Sequence, residues 1–212
     1  SEGTLQAFAG YSINPMLQSQ CSLFVALAPV AHLSNQNSLL ISALAELPEK
    51  WIMDVLGNEA VPPMQLEIAK LIIEMIVPGW CQFWDSFCTS FIFAIGGCNS
   101  AGQCDASNLN QTRGPVYSSH LGGSSIRNLF HFLQIAKQAG MHYYDFGSAT
   151  ENMQHYGRPT PPQYNLSTIS NVPIALFTGG NDAFADPADV QILLDVLPKP
   201  PVFIHNEPTY TH

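Results

Sequence analysis

Hydrophobic positions along this chain follow three rhythms in turn. Leu5, Phe8, Ala9 and Ser12 fall at helical spacing, with the small residues Gly3, Ala7 and Gly10 among them. The opening dozen residues therefore predict a helix able to pack closely on a sheet. Pro15 lies just past its expected end, where helices usually stop. After a short polar turn, "LFVALAPV" is continuously apolar with no alternation. Such a run suits a strand covered on both faces, as in a parallel sheet.

From about His32 to Thr160 long helical patterns take over, at residues 39–56, 65–77, about 80–95 and 125–139. The last has Ser124 or Ser125 as its N-cap and Gly140 as its stop. "RPTPPQY" then reads as a stiff connector. Strand character returns in "VPIALFTGG", a helix follows in "DPADVQILLDVL", and "PPVFIHNE" is another short strand. The end of the chain thus resumes the β-loop-α-β order that residues 1–30 began. The fold class expected is α/β, a doubly wound, mostly parallel core interrupted by a mainly helical insertion. Residues 1–31 and 161–212 form the core, and 32–160 the insertion.

Composition narrows the partners. Of the 212 residues, 46% are apolar and only 11% are Asp, Glu, Lys or Arg, with a net charge of −9. Seven scattered cations argue against nucleic acid as a partner, because phosphate binding needs clustered positive charge. The longest apolar runs are too short for a helix of ~20 residues to span a bilayer. Four of the five cysteines, Cys81, Cys88, Cys98 and Cys104, crowd into one stretch, and Cys21 stands apart. Cys81 and Cys88 on one straight helix would lie roughly 10 Å apart, beyond the ~7 Å limit for a disulfide, so they pair only if the helix breaks. Cys98 and Cys104 flank "NSAGQ" and need no such break. Sequons at Asn110 and Asn165 join the clustered cysteines in leaning toward a secretory or lumenal compartment.

The candidate chemistry lies at strand ends. Asp182 follows "IALFTGG", His212 follows "PVFIH", and Ser1 directly precedes the first helix. Loops after the carboxyl ends of parallel strands carry function in such sheets. The order Ser, Asp, His is that of α/β-hydrolases. Serine needs a histidine to take its proton, and the histidine needs a carboxylate to orient it. The backbone N–H of Glu2, at the start of a helix, is the natural donor to an oxyanion. Asp186 competes with Asp182, but its place before Pro187 suits a helix N-cap better. An N-terminal-nucleophile mechanism, with the amine of Ser1 as base, belongs with stacked antiparallel sheets, not with these strands. No HxxxH or HExxH spacing occurs, so no metal site is expected.

"SEGTLQAF", "LFVALAPVA", "YDFGSATENMQHYG", "PPQYNLSTISNVPIALFTGGNDAFADPADVQILL" and "PTYTH" together resemble the acid lipases, gastric and lysosomal acid lipase and their relatives. In that family the nucleophile lies in Gly-His-Ser-x-Gly-Thr, whose second half is matched by Ser1 to Thr4. The resemblance implies that Asp182 and His212 complete the triad and that residues 32–160 form a cap over the site. It implies a lipase or sterol-ester hydrolase acting on neutral lipid esters at a lipid–water interface, secreted or lysosomal, with no cofactor. The strands before the nucleophile, the loop giving the second oxyanion N–H and the helix after the histidine are not matched. A segment running from one triad member to another is therefore expected to be a partial sequence, poorly folded and inactive alone. Two other readings stand beside it, a catalytically silent lipase-like binding or storage protein, and an esterase or thioesterase for smaller acyl groups.

Overall fold

A computed structural model describes residues 2–46, Gly96, Arg113 and 125–212. Among these, helix α1 spans Glu2–Ile13 and α2 Pro15–Gln20; strand β1 follows at Phe24–Leu27 and helix α3 at Leu39–Glu46. After the undescribed stretch come α4 (Ile126–Lys137), α5 (Ala149–Tyr156), a 3-10 turn (Leu166–Thr168), β2 (Ile174–Gly179), α6 (Pro187–Val196) and β3 (Phe203–Glu207). The three strands form one parallel sheet in the order β1-β2-β3, with Ala26 opposite Leu176 and Leu176 opposite Ile204. Strands from the two ends of the chain are thus neighbours in a small parallel sheet flanked by helices, which is the coarse α/β class expected from the pattern.

Alternation decides which sheet face is covered. Ala26 and Leu176 are wholly buried and pack in one core with Phe8 of α1 and Leu193 of α6. Phe8 and Tyr11 both set their rings edge-on to Phe24 at 5.4 Å. Burying a side chain such as Leu193 contributes about 2 kcal/mol. The opposite face carries Val25 and Leu27 (47% and 64% exposed), with Phe177 and Phe203 beside them in register. Continuous apolarity in "LFVALAPV" pointed to cover on both faces; among the described residues one face is covered.

Pro15 does not merely end a helix. It begins α2, with Asn14 as N-cap accepting from the Met16 and Leu17 amides at 3.1 and 3.2 Å. Proline at the first helical position needs no hydrogen-bond partner for its nitrogen. Helix α2 delivers Gln18, 2% exposed, into the core. Its amide nitrogen donates to Tyr11 O and Thr168 O, and its oxygen accepts from the Ser170 and Asn171 amides. A buried amide so fully satisfied fastens α1 and α2 to the segment entering β2. Helix α5, absent from the apolar pattern, has Ser148 as N-cap and ends at Gly157 in the left-handed region (φ 67°).

Of the predicted helices, 65–77 and 80–95 lie outside the described residues, as does 39–56 beyond Glu46. The predicted 125–139 helix is α4, capped by Ser125, whose hydroxyl accepts from the Asn128 amide. Among the described residues no helix is long and apolar enough to cross a membrane.

Candidate active site

The carboxyl ends of β2 and β3 meet at one place. Gly180 N donates to Glu207 O and Asn181 N to Tyr210 O, both at 2.9 Å, so the loop after β2 is sewn to the loop after β3. The closeness requires glycine twice. A Cβ on Gly179 would run into the Tyr210 carbonyl oxygen, and one on Gly180 into that of Pro208. The "TGG" that ends the strand is thus a packing requirement of the loop crossing over it.

This stitching brings Asp182 and His212 together. Asp182 is 1% exposed, and its Oδ1 accepts from the Phe184 and Ala185 amides at 2.9 and 2.8 Å. His212 Nδ1 lies 2.9 Å from Oδ1 and 3.0 Å from Oδ2. A carboxylate can only accept, so Nδ1 carries the proton and Nε2 is left basic. Two backbone amides fix the carboxylate, and the carboxylate fixes the ring. The Phe184 ring packs on the imidazole at 4.9 Å between centroids.

Gly96 contributes a single carbonyl that accepts from both His212 N (3.1 Å) and Ala183 N (3.3 Å). It belongs to the stretch read as the insertion, and nothing in the local sequence marks it for this role beyond its being glycine. Asp186 caps α6, accepting from the Ala188 amide at 2.8 Å. Burial raises its carboxyl above the ordinary range, with the neighbouring Asp189 and Asp182 adding to that and the amide bonds opposing it. Asp186 is thus the N-cap expected from its place before Pro187.

The amino end of α1 is held independently. Thr4 Oγ1 accepts from Val30 N at 2.8 Å and donates to Val30 O at 3.4 Å. The chain reaches Val30 through Ala28, which adopts φ 49° and donates its amide to Phe177 O at 2.8 Å. A left-handed non-glycine residue costs about 1 kcal/mol and persists only where its neighbours enforce it. Here it turns the chain leaving β1 back over the first turn of α1. Glu2, the first residue of α1, accepts on its carboxylate from Gln6 and from Asn128 of α4. Its backbone N–H is one of the helix-end amides that lack an intrahelical partner. Ser1 lies outside the described residues.

Beyond Val30 the chain crosses the same end of the sheet. Asn35 donates from its backbone and side-chain nitrogens to the two oxygens of buried Asp189, each at 2.9 Å, and Asn37 N donates to Ala183 O at 3.0 Å. His32 in this strap is 9% exposed, and among the described residues its Nε2 has no hydrogen-bond partner. Burial holds its imidazole below the ordinary 6.5, with Asp189 pulling the other way. A depressed folded-state value means that the unfolded chain takes up the proton first. The stability gained from neutral His32 is present above about pH 6.5 and is lost as pH falls through the lower folded value. His131, also held down by burial, acts in the same direction. His32→Gln should flatten the acid side of the stability curve. Urea midpoints from about pH 7.5 to 4.5 test this, and parallel wild-type and variant curves would refute it.

The remaining sequence candidates divide simply. Asn165 is exposed, although its side-chain oxygen accepts from Ser167 N and Oγ. Asn110, Cys81, Cys88, Cys98 and Cys104 lie outside the described residues. Cys21 is an unpaired, half-buried thiol that accepts from the Tyr11 hydroxyl at 3.2 Å. Among the described residues no cluster of three or more His, Cys, Asp or Glu side chains is arranged to hold a metal ion.

No family model matches the chain. It is 36% identical over 214 residues to gastric triacylglycerol lipase of Homo sapiens, an alignment covering 100% of this chain and 50% of that protein. The corresponding enzyme of Bos taurus is also 36% identical over 214 residues, covering 100% and 51%. Lysosomal acid lipase/cholesteryl ester hydrolase of Rattus norvegicus is 30% identical over 213 residues, again covering 100% and 51%. The chain thus spans about half the length of the curated relatives it matches. Similarity running along its whole length to gastric and lysosomal enzymes alike supports placing the chain in the acid lipase family.

Proposed function

We propose that the full-length protein hydrolyses carboxylic esters of neutral lipids, triacylglycerols or sterol esters, through an acyl-enzyme formed on Ser1. One observation carries this reading. The buried Asp182 carboxylate, already gripped by two amides, holds His212 through Nδ1 and leaves Nε2 to act as a base. Chain order and the Ser-x-Gly-Thr match at Ser1 to Thr4 support serine as the nucleophile.

In the proposed sequence Ser1 Oγ bonds to the ester carbonyl carbon while its proton passes to His212 Nε2. The carbonyl electron pair moves onto oxygen, and the Glu2 amide donates to that oxyanion. The bond to the alcohol oxygen then breaks, and the alcohol leaves with the Nε2 proton. Water next bonds to the acyl carbon, gives its proton to Nε2, and Ser1 Oγ departs carrying that proton. Asp182 stays ionised throughout and stabilises the imidazolium.

The relatives' names, gastric triacylglycerol lipase and lysosomal acid lipase/cholesteryl ester hydrolase, support neutral lipid esters as substrates and a secreted or lysosomal location. Residues 32–160 serve as the cap in this reading, and Asn165 is exposed as a glycan acceptor should. The 212-residue segment alone is inactive in this proposal, since the Val25, Leu27 and Phe177 face of its sheet lies bare. Ser1→Ala in the full-length protein should lower kcat on p-nitrophenyl esters by at least about 10⁴-fold. Turnover unchanged by that substitution would sink the enzyme reading. Hydrolysis confined to short, soluble esters would instead make the protein an esterase.

A further inference from the structure

Helix α4 belongs by sequence to the insertion, yet one of its faces reaches both parts of the proposed machinery. Asn128 and Phe132 stand four residues apart and so share that face. The Asn128 amide donates to the Glu2 carboxylate at the head of α1. The Phe132 ring meets Phe184 at 6.0 Å and 61°, and Phe184 in turn lies against His212. Other residues anchor α4 to the core, Phe130 and Leu133 being 3% and 4% exposed. Phe132 is only partly buried, and it stands one ring away from the histidine, with Phe184 between them.

We propose that Phe132, backed by Phe184, is the specificity-determining wall for the alcohol portion of the ester. The inference rests on the ester-hydrolase reading above. Proton transfer supplies the reason. His212 Nε2 hands its proton to the departing alcohol oxygen, so the first carbons of the alcohol stand beside the imidazole. An apolar ring on the flank of that imidazole meets the alcohol before it meets the far end of an acyl chain. Phe184 is 8% exposed and Phe132 more open, so in this proposal Phe132 is the ring left accessible to the alcohol. Apolar walls discriminate by bulk, roughly 10- to 200-fold for changes as small as a methylene.

The test uses the full-length protein and three hexanoate esters, of methanol, hexanol and cholesterol. A second series of methyl esters varies only the acyl length. Phe132→Ala should raise the cholesteryl-to-methyl ratio of kcat/KM about tenfold, and Phe132→Trp should lower it about tenfold. The acyl-length profile should not move. Phe132→Leu gives a smaller rise and keeps more packing volume, so the idea remains testable if the alanine variant does not fold; thermal melts check each variant. An alcohol ratio within about twofold of wild type in folded Leu and Trp variants overturns the inference. So does a shift in acyl-length preference in place of the alcohol ratio. Wild-type protein that cleaves none of these esters brings down the ester-hydrolase reading itself, a result distinct from a flat alcohol series in an active enzyme.

Discussion

Asp182→Asn in the full-length protein is expected to lower kcat about 10⁴-fold while leaving the melting temperature nearly unchanged. Asparagine keeps the same volume and can still offer its oxygen to the Phe184 and Ala185 amides. With Oδ1 so occupied, the amide nitrogen takes the Oδ2 position, 3.0 Å from His212 Nδ1. That nitrogen donates, which favours the tautomer in which Nδ1 accepts and the ring proton sits on Nε2. The base is then protonated at the atom that should receive the serine proton. Steady-state kinetics with a melt of the same sample decide the matter. An active variant would show that this carboxylate does not set the tautomer. A collapse of folding would show that its main task is to hold the loop.

Gly180→Ala should destabilise the protein by about 3 kcal/mol, at the severe end for one methyl group. The added carbon meets backbone, the Pro208 carbonyl group and Cα, which cannot rotate away as a side chain would. Relief requires the loop after β3 to lift, and that loop carries His212. Stability and turnover should therefore fall together, with the urea midpoint and kcat measured on one preparation. A variant with a normal midpoint and normal kcat would mean that the loop crosses this glycine more loosely than the structure has it.

Much of this was legible because the relevant signals are local. Uninterrupted apolarity marked β1 and β2, the Asp-Pro start marked α6, and strand order carried Asp182 and His212 to adjacent loops. What escaped had three causes. Pro15 signals an end or a beginning, and the deciding fact is Asn14 before it, which caps α2. Helix α5 carries "ATENMQHY", too polar for apolar periodicity to reveal, although Ser148 and Gly157 bracket it with start and stop residues. Other features are long-range and have no local signature. The Gly96 carbonyl, the Asn35–Asp189 pair and the Asn128–Glu2 contact join segments that only the fold brings together. The bare sheet face is a third kind, because apolarity shows what a strand tolerates and not what covers it.

The pairing of β1 directly with β2 has an entropic consequence for how such a chain can change. Everything between Leu27 and Ile174 is, for the sheet, one closed loop. Closure entropy grows only as the logarithm of loop length, so doubling that loop would cost about 0.6 kcal/mol and halving it would gain about as much. In terms of closure alone, a change of length there perturbs the sheet less than one misplaced methyl group at Gly180. The three strands can therefore stay in register while the length of this stretch changes, provided that Val30, Asn35, Gly96 and the inner face of α4 keep their places.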